Sequence, residues 1–177
     1  MANIITLLKQ FIHVTRLAAV PSFIYRCFEY GHWNYTYDSY RRRYHLSPSF
    51  TFNGNDILFY GSGEIIIGDN SYFGRDSSIN AAEGCRVIIG KNCRISHNVK
   101  IYTTTWDVKH YLAGKLVDKK GDVTIKDNCW IGTNAFIGPG VTIGMNAIIG
   151  ANVVVTHDVD DYTVVKATSS KIQKKNQ

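Results

Sequence analysis

Two imidazoles and one carboxylate carry the most direct chemical signal in this chain. His110 follows Asp107 by three residues in TTWDVKH, and His97 lies in ISHNVK. Histidine has the reference pKa closest to neutrality, so it suits moving a proton to or from a hydroxyl. A carboxylate beside an imidazole fixes its orientation, which gives Asp107 a role next to whichever ring it reaches. A lone histidine on a surface is as often only a polar residue, so both remain candidates. Metal chemistry draws little support, and none is expected. The cysteines Cys27, Cys85, Cys93 and Cys129 form no CxxC pair.

What must position these groups is a repeat. From Ile125 to Asp160 the chain reads IKDNCW, IGTNAF, IGPGVT, IGMNAI, IGANVV, VTHDVD. A branched aliphatic residue recurs every six positions: Ile125, Ile131, Ile137, Ile143, Ile149, Val155. A helix needs a period of 3.6 and a half-buried strand a period of 2. A period of six fits a solenoid of short flat segments joined by sharp corners, each inward side chain stacking on its equivalent one coil away. Gly follows the aliphatic residue in four of these six blocks. It suits a corner where backbone passes close or takes a positive φ. Asn128, Asn134, Asn146 and Asn152 fill the fourth position, where a left-handed conformation is cheapest for a non-glycine residue. The fifth position is small or apolar, so Cys93 and Cys129 read as core residues. Unpaired core cysteines point to a reduced, cytoplasmic compartment.

The same period appears earlier, at Ile67, Phe73 and Ile79, then slips and resumes at Ile89, Ile95 and Ile101. Residues 104–122 carry no repeat and read as a loop thrown out of the solenoid. Long loops in compact domains are usually functional. The predicted organisation is therefore an N-terminal extension over 1–50, a solenoid over 51–172 and a polar tail over 173–177. Residues 4–20 are apolar but interrupted by Lys9, Gln10, His13 and Arg16. They are too short and too charged for a membrane span. An amphipathic helix follows, packed on the solenoid or lying on a membrane surface. Residues 21–50 are rich in aromatics, which Arg41, Arg42 and Arg43 follow. Aromatics beside arginines are one signature of nucleic-acid stacking. A cap over the open first coil explains them better, because a solenoid end must be closed. Net charge is +6, and no nucleic-acid motif accompanies it.

The segment DNCWIGTNAFIGPGVTIGMNAIIGANVVVTHDV resembles the hexapeptide-repeat acyltransferases, and in particular their sugar O-acetyltransferases. The resemblance extends over roughly residues 65–172. It implies a left-handed parallel β-helix, acetyl-CoA as cosubstrate, and homotrimers with active sites between neighbouring solenoids. It implies a histidine base in the extruded loop, usually flanked by Thr and Asp. At the aligned position this chain has Thr105-Trp106-Asp107, and indole nitrogen is no base. That leaves His97 on a coil and His110 in the loop. The rigid coil ranks His97 first. The resemblance also places Asn80 beside the reacting groups, and Glu83, Trp106, Asp107 and Trp130 around the acceptor and thioester. It puts Thr133, Ala151, Thr156 and Lys171 along coenzyme A. A small residue at 151 lets pantetheine approach backbone, and a lysine meets phosphate as a point charge. The family's Gly-x-Pro-Ala-Lys ending is here Ala167-Thr168-Ser169-Ser170-Lys171.

The expected activity is therefore transfer of acetyl from acetyl-CoA to a sugar hydroxyl, in the service of bacterial surface polysaccharide. The acceptor is a sugar, a nucleotide-sugar or a polysaccharide. The rival reading, motivated by Trp106, is a solenoid without catalysis that serves as a binding or assembly subunit. A γ-type carbonic anhydrase shares the solenoid but needs three histidine ligands. Only His97 and His110 lie in the right region.

Overall fold

The computed structural model describes residue 24 and residues 27–167. The amphipathic segment 4–20 and the tail, Lys171 included, lie outside the described residues. The chain divides into two compact units, 1–39 and 40–177. Residues 27–43 are helical (α1), and no helix among the described residues is long and apolar enough to cross a membrane.

The second unit is a left-handed parallel β-helix. The first four coils each contribute one short strand to each of three faces, and the last two contribute to some of them. The first face stacks Thr51–Asn53 (β1), Tyr72–Gly74 (β4), Arg94–Ile95 (β7), Trp130–Ile131 (β12), Ile148–Ile149 (β15) and Val164–Val165 (β17). The second stacks Leu58–Tyr60 (β2), Ser78–Asn80 (β5), Lys100–Tyr102 (β8), Phe136–Ile137 (β13) and Val154–Val155 (β16). The third stacks Glu64–Ile67 (β3), Arg86–Ile89 (β6), Val123–Ile125 (β11) and Thr142–Ile143 (β14), and a bridge from Ile143 to Val159 extends it.

The register explains the hexads. Ile95 pairs with Ile131 and Ile131 with Ile149 on the first face. Ile79, Ile101, Ile137 and Val155 form the matching column on the second face, and Ile67, Ile89, Ile125 and Ile143 the one on the third. All are buried. Each such side chain contributes ~1.5–3 kcal/mol by leaving water. The phase slip after Ile79 is a bulge of the second coil at the corner that holds Ala81 to Cys85. The β-helix starts one coil before the first hexad, at Thr51, where aromatics replace the aliphatics: Phe59 pairs with Ile79 and Phe52 with Phe73. Tyr40 stacks on Phe59 at 5.3 Å, and Phe50, Phe52 and Phe73 surround the same ring. Arg41 donates to the carbonyls of Ser47 and Phe50 and lies over Phe52. It therefore braces this end of the solenoid from within the protein.

The corners use asparagine and glycine differently. Asn128, Asn134, Asn146 and Asn152 all have φ between 57° and 61°. Their amides also bond between coils, Asn98 to Asn134 at 2.8 Å and Asn134 to Asn152 at 3.1 Å. The repeat glycines have no positive φ at Gly68, Gly132 or Gly144; a Cβ there would instead strike backbone of the next coil. Of the two reasons for glycine weighed from sequence, close approach is the operative one. Cys93 and Cys129 are buried in adjacent coils, their thiols donating to the carbonyls of Lys126 and Gly144. The neighbouring Cys93 thiol and burial push the Cys129 thiol up, so it stays protonated.

Candidate active site

The candidate residues divide between two corners of the prism. The corner joining the first face to the second carries residues 96–99, 132–135 and 150–153. His97, Thr133 and Ala151 occupy equivalent positions there in three successive coils. The backbone N–H of Asn134 donates to the His97 carbonyl at 3.1 Å, and that of Asn152 to the Thr133 carbonyl at 2.9 Å. Trp130 joins this group from β12, its indole N–H donating to Ser96 Oγ at 3.3 Å. The ring is 52% exposed. His97 is exposed, and a Cβ on Gly74 would stand 2.8 Å from its Nδ1. Glycine at 74 therefore clears the space that the imidazole occupies.

The corner joining the second face to the third carries the rest. The loop leaves β8 as an antiparallel hairpin of Thr104–Trp106 (β9) and Asp118–Lys120 (β10), with Val108–Leu112 (α2) at its tip. The span without hexads is thus an ordered hairpin. Its root is clamped. Gly121 N–H donates to the Thr103 carbonyl, and Thr103 N–H to the Asn80 carbonyl, both at 3.0 Å. Thr103 Oγ1 accepts from Ala82 N–H at 2.8 Å and donates to the Asn80 carbonyl at 3.1 Å. Thr103 is fully buried. It ties Asn80 and the bulge bearing Glu83 to the loop, a positioning role that its place in an unpatterned TTT run concealed. The Asn80 side chain also bonds the Tyr60 phenol, whose pKa burial and the Tyr102 hydroxyl raise.

Within the loop, Asp107 caps α2 and holds His110. Asp107 Oδ1 accepts from His110 N–H at 3.0 Å and lies 3.0 Å from His110 Nδ1. These bonds, the backbone one first, hold the Asp107 carboxyl below its usual range. A carboxylate on Nδ1 fixes the tautomer with the proton there, leaving the Nε2 lone pair for a substrate hydroxyl. Among the described residues, no carboxylate pairs with the His97 ring. Trp106 is half exposed and pairs across the hairpin with Asp118. Thr156 lies at this second corner, two coils beyond the loop, with its hydroxyl 3.0 Å from His157 Nδ1. His157 is an imidazole that the sequence reading passed over. It sits at the third position of its hexad, as His97 does, and that shared position was the available signal.

The structure thus brings His97, Trp130, Thr133 and Ala151 together at one corner. It gathers Asn80, Glu83, Trp106, Asp107, His110 and Thr156 at another, with the second face between them. Among the described residues no group of three or more His, Cys, Asp or Glu side chains is placed to hold a metal ion.

Comparisons with known proteins agree with this architecture. Residues 122–157 match the bacterial transferase hexapeptide family, described as six repeats, and residues 64–102 match the hexapeptide repeat of succinyl-transferase. The two matches stop on either side of the extruded loop. Comparison with curated protein sequences finds no match. Among solved structures, a hexapeptide-repeat acetyltransferase of Vibrio cholerae O1 biovar eltor, complexed with acetyl-CoA, superposes with a TM-score of 0.58 at 25% identity, over 68% of this chain and 67% of that one. The polySia-specific acetyltransferase NeuO gives 0.52 at 23% identity, over 72% and 60%. A mutant of AntD, an N-acyltransferase from Bacillus cereus in complex with dTDP-4-amino-4,6-dideoxyglucose and coenzyme A, gives 0.53 at 22%, over 71% and 81%. The last two speak for the fold alone. Repeats and fold agree: this chain is a hexapeptide-repeat protein with the left-handed β-helix of the hexapeptide-repeat acyltransferases.

Proposed function

We propose that this protein is an acetyl-CoA-dependent O-acetyltransferase acting on a sugar hydroxyl in cytoplasmic assembly of a surface polysaccharide. The observation that carries the reading is the Asp107–His110 pair on the extruded loop, 3.0 Å apart. Nε2 of His110 takes the proton as the hydroxyl oxygen attacks the thioester carbonyl. The tetrahedral intermediate collapses with cleavage of the C–S bond, and the proton passes to the departing thiolate. The products are the acetyl ester and coenzyme A. On this reading His110 is the base although Trp106 holds the usual position, because a carboxylate orients its ring. The small side chain of Ala151 and the hydroxyl of Thr133 line the corner where pantetheine lies. Because that corner and the loop are separated by a whole face, one solenoid alone does not close the site. The functional unit is a homotrimer in which the loop of one copy meets the Thr133–Ala151 corner of the next.

The test uses His110→Ala, Asp107→Asn and His97→Ala, each assayed for acetyl transfer to a sugar panel with acetyl-CoA binding measured in parallel. His110→Ala is expected to lose ~10²–10⁴ in rate with binding retained. Asp107→Asn should also lose rate, and His97→Ala should stay near the parent. Near-normal transfer by His110→Ala refutes the assignment. A parent that binds acetyl-CoA and acetylates nothing in the panel supports the non-catalytic reading. For the shared site, His110→Ala is mixed with Ala151→Trp under subunit exchange. Random assortment restores roughly a quarter of parental activity if each site draws on two chains, and none if it does not.

A further inference from the structure

Away from both corners, the first face carries a groove of about 600 Å³ over its first three coils. Its lining is Ser49, Thr51, Asn53, Asn70, Tyr72 and Arg94, completed by Ser71 and Asn92. This is hydroxyl, amide, one aromatic ring and one cation, without a carboxylate. Apolar ligands select pockets lined mainly by hydrophobic side chains. A lining of amides and hydroxyls around a ring suits a sugar, whose equatorial hydroxyls need many donors and acceptors and whose C–H face needs an aromatic.

The cation is held in place. Arg94 donates from Nη1 to the Asn70 carbonyl at 3.1 Å, and its guanidinium lies over the Tyr72 ring at 5.4 Å from the centroid. Asn70 itself has φ 58° and its N–H donates to Ser49 Oγ at 3.0 Å, so the carbonyl that receives Arg94 is fixed. Arg94 spends one nitrogen on that carbonyl, and a guanidinium offers five N–H donors in a planar fork matched to carboxylate and phosphate. Because the side chain is braced, little rotamer entropy is lost on binding an anion. The column continues in register: Thr51 pairs with Tyr72, Tyr72 with Arg94 and Arg94 with Trp130. Coils rise by about 4.8 Å, so the Tyr72 and Trp130 rings lie about 10 Å apart along the solenoid axis.

We infer that this groove is a second binding site, separate from the acyl-transfer loop, for an anionic sugar. The charge contacts Arg94, and the ring hydroxyls contact Asn53, Asn70 and Thr51. The anion is either the carboxylate of an acidic oligosaccharide or the diphosphate of a nucleotide-sugar. The inference does not rest on acetyl transfer, since it concerns binding in the absence of acetyl-CoA.

The experiment is calorimetric titration of the full chain without acetyl-CoA, using a hexauronate, UDP-glucose and maltohexaose as probes. The parent is expected to bind one of the charged probes at least 10-fold more tightly than maltohexaose, with affinity falling as salt rises. Arg94→Gln should weaken that binding at least 10-fold, and Tyr72→Ala should weaken it too. Both variants should keep the parental circular-dichroism spectrum and acetyl-CoA affinity, with the melting temperature lowered by a few degrees at most, which separates this site from the loop and from folding. Preference for the hexauronate assigns the groove to a polymer, and preference for UDP-glucose to a sugar donor. Equal binding of charged and neutral probes, no binding at millimolar concentration, or binding unaffected by Arg94→Gln overturns the inference. A parent that binds the hexauronate or UDP-glucose as expected but acetylates nothing in the sugar panel would count against the catalytic reading alone.

Discussion

Replacing Gly132 by alanine tests the close-approach account of the repeat. The added Cβ would stand 2.6 Å from Ala151 N, 2.7 Å from Gly150 C and 2.9 Å from Ile149 O. Real Cβ atoms do not come so near backbone, so the next corner must retreat by roughly half an ångström. Two bonds tie these corners together, Gly132 N–H to the Ile149 carbonyl at 2.7 Å and Asn152 N–H to the Thr133 carbonyl at 2.9 Å. Overpacking costs ~1–3 kcal/mol, and stretching bonds worth ~0.5–1.5 kcal/mol each adds to it. Lower entropy of the unfolded chain offsets ~0.4–1 kcal/mol. The net expectation is a loss of ~2–3 kcal/mol. Two controls set the scale. At Gly150 the nearest atom is Val165 O at 3.1 Å, so alanine there costs less. At Gly84 nothing lies within 4 Å but φ is +76°, so alanine costs only the left-handed penalty of ~1–2 kcal/mol. Urea unfolding followed by circular dichroism measures all three. Hydrogen exchange should place the Gly132→Ala loss in coils four and five, because each coil touches only its neighbours. A Gly132→Ala variant within 0.5 kcal/mol of the parent, or less affected than Gly84→Ala, refutes the reasoning.

Three further outcomes follow from the same geometry. Replacing residues 104–120 by a Gly-Gly turn between Thr103 and Gly121 should leave the thermal transition nearly unchanged, since Gly121 N–H already reaches the Thr103 carbonyl at 3.0 Å, the bond that closes such a turn; acetyl transfer should vanish, and a collapsed far-ultraviolet spectrum would show that the loop is structural. Of the four thiols, Cys27 is exposed and the other three are buried, so thiol titration of the native protein should modify Cys27 quickly and Cys85, Cys93 and Cys129 only on unfolding. Asp161 accepts from Met145 N–H at 2.8 Å and from Lys126 Nζ at 3.2 Å, and these bonds depress its carboxyl pKa. A depressed carboxyl stabilises the fold above the unfolded value of about 3.9 and loses that contribution as pH falls through the folded value. Asp161→Asn should therefore lower the urea midpoint at pH 7 and flatten its decline below about pH 4; parallel acid profiles for variant and parent would contradict this.

The solenoid was legible because its period is a direct image of its packing. Ile125, Ile131 and Ile137 are six apart because each closes one face of the triangle, and eighteen residues bring Ile131 back over itself at Ile149. Asparagine at the fourth position was equally readable, since its left-handed φ is a local property. The first coil was not readable as hexads. Its neighbour on one side is the aromatic cluster around Phe59, so volume there is set by rings of varied size and the repeat is lost. The bulge at Ala81 to Cys85 shifted the phase, because a corner tolerates extra residues as long as the strands on both sides keep their register.

The site was harder to read than the scaffold because it depends on which corner a residue occupies, and linear order hides that. His97 and His110 are thirteen positions apart and look like neighbours. A full face separates them, because His97 turns the chain from first face to second while His110 follows the second. The loop's length shows why it leaves the ladder undisturbed. Ile101 and Ile137 pair although 36 positions apart, whereas Ile137 and Val155 pair at 18. The insertion therefore adds as many residues as one coil without moving any strand. Its two ends meet at Thr103 and Gly121, so its cost to the solenoid is small and its shape is set by its own hairpin and by the Asp107 cap. A segment freed in this way from packing duty can hold an oriented imidazole on an exposed tip. The proposed base accordingly lies in the longest stretch of the solenoid span where the repeat falls silent.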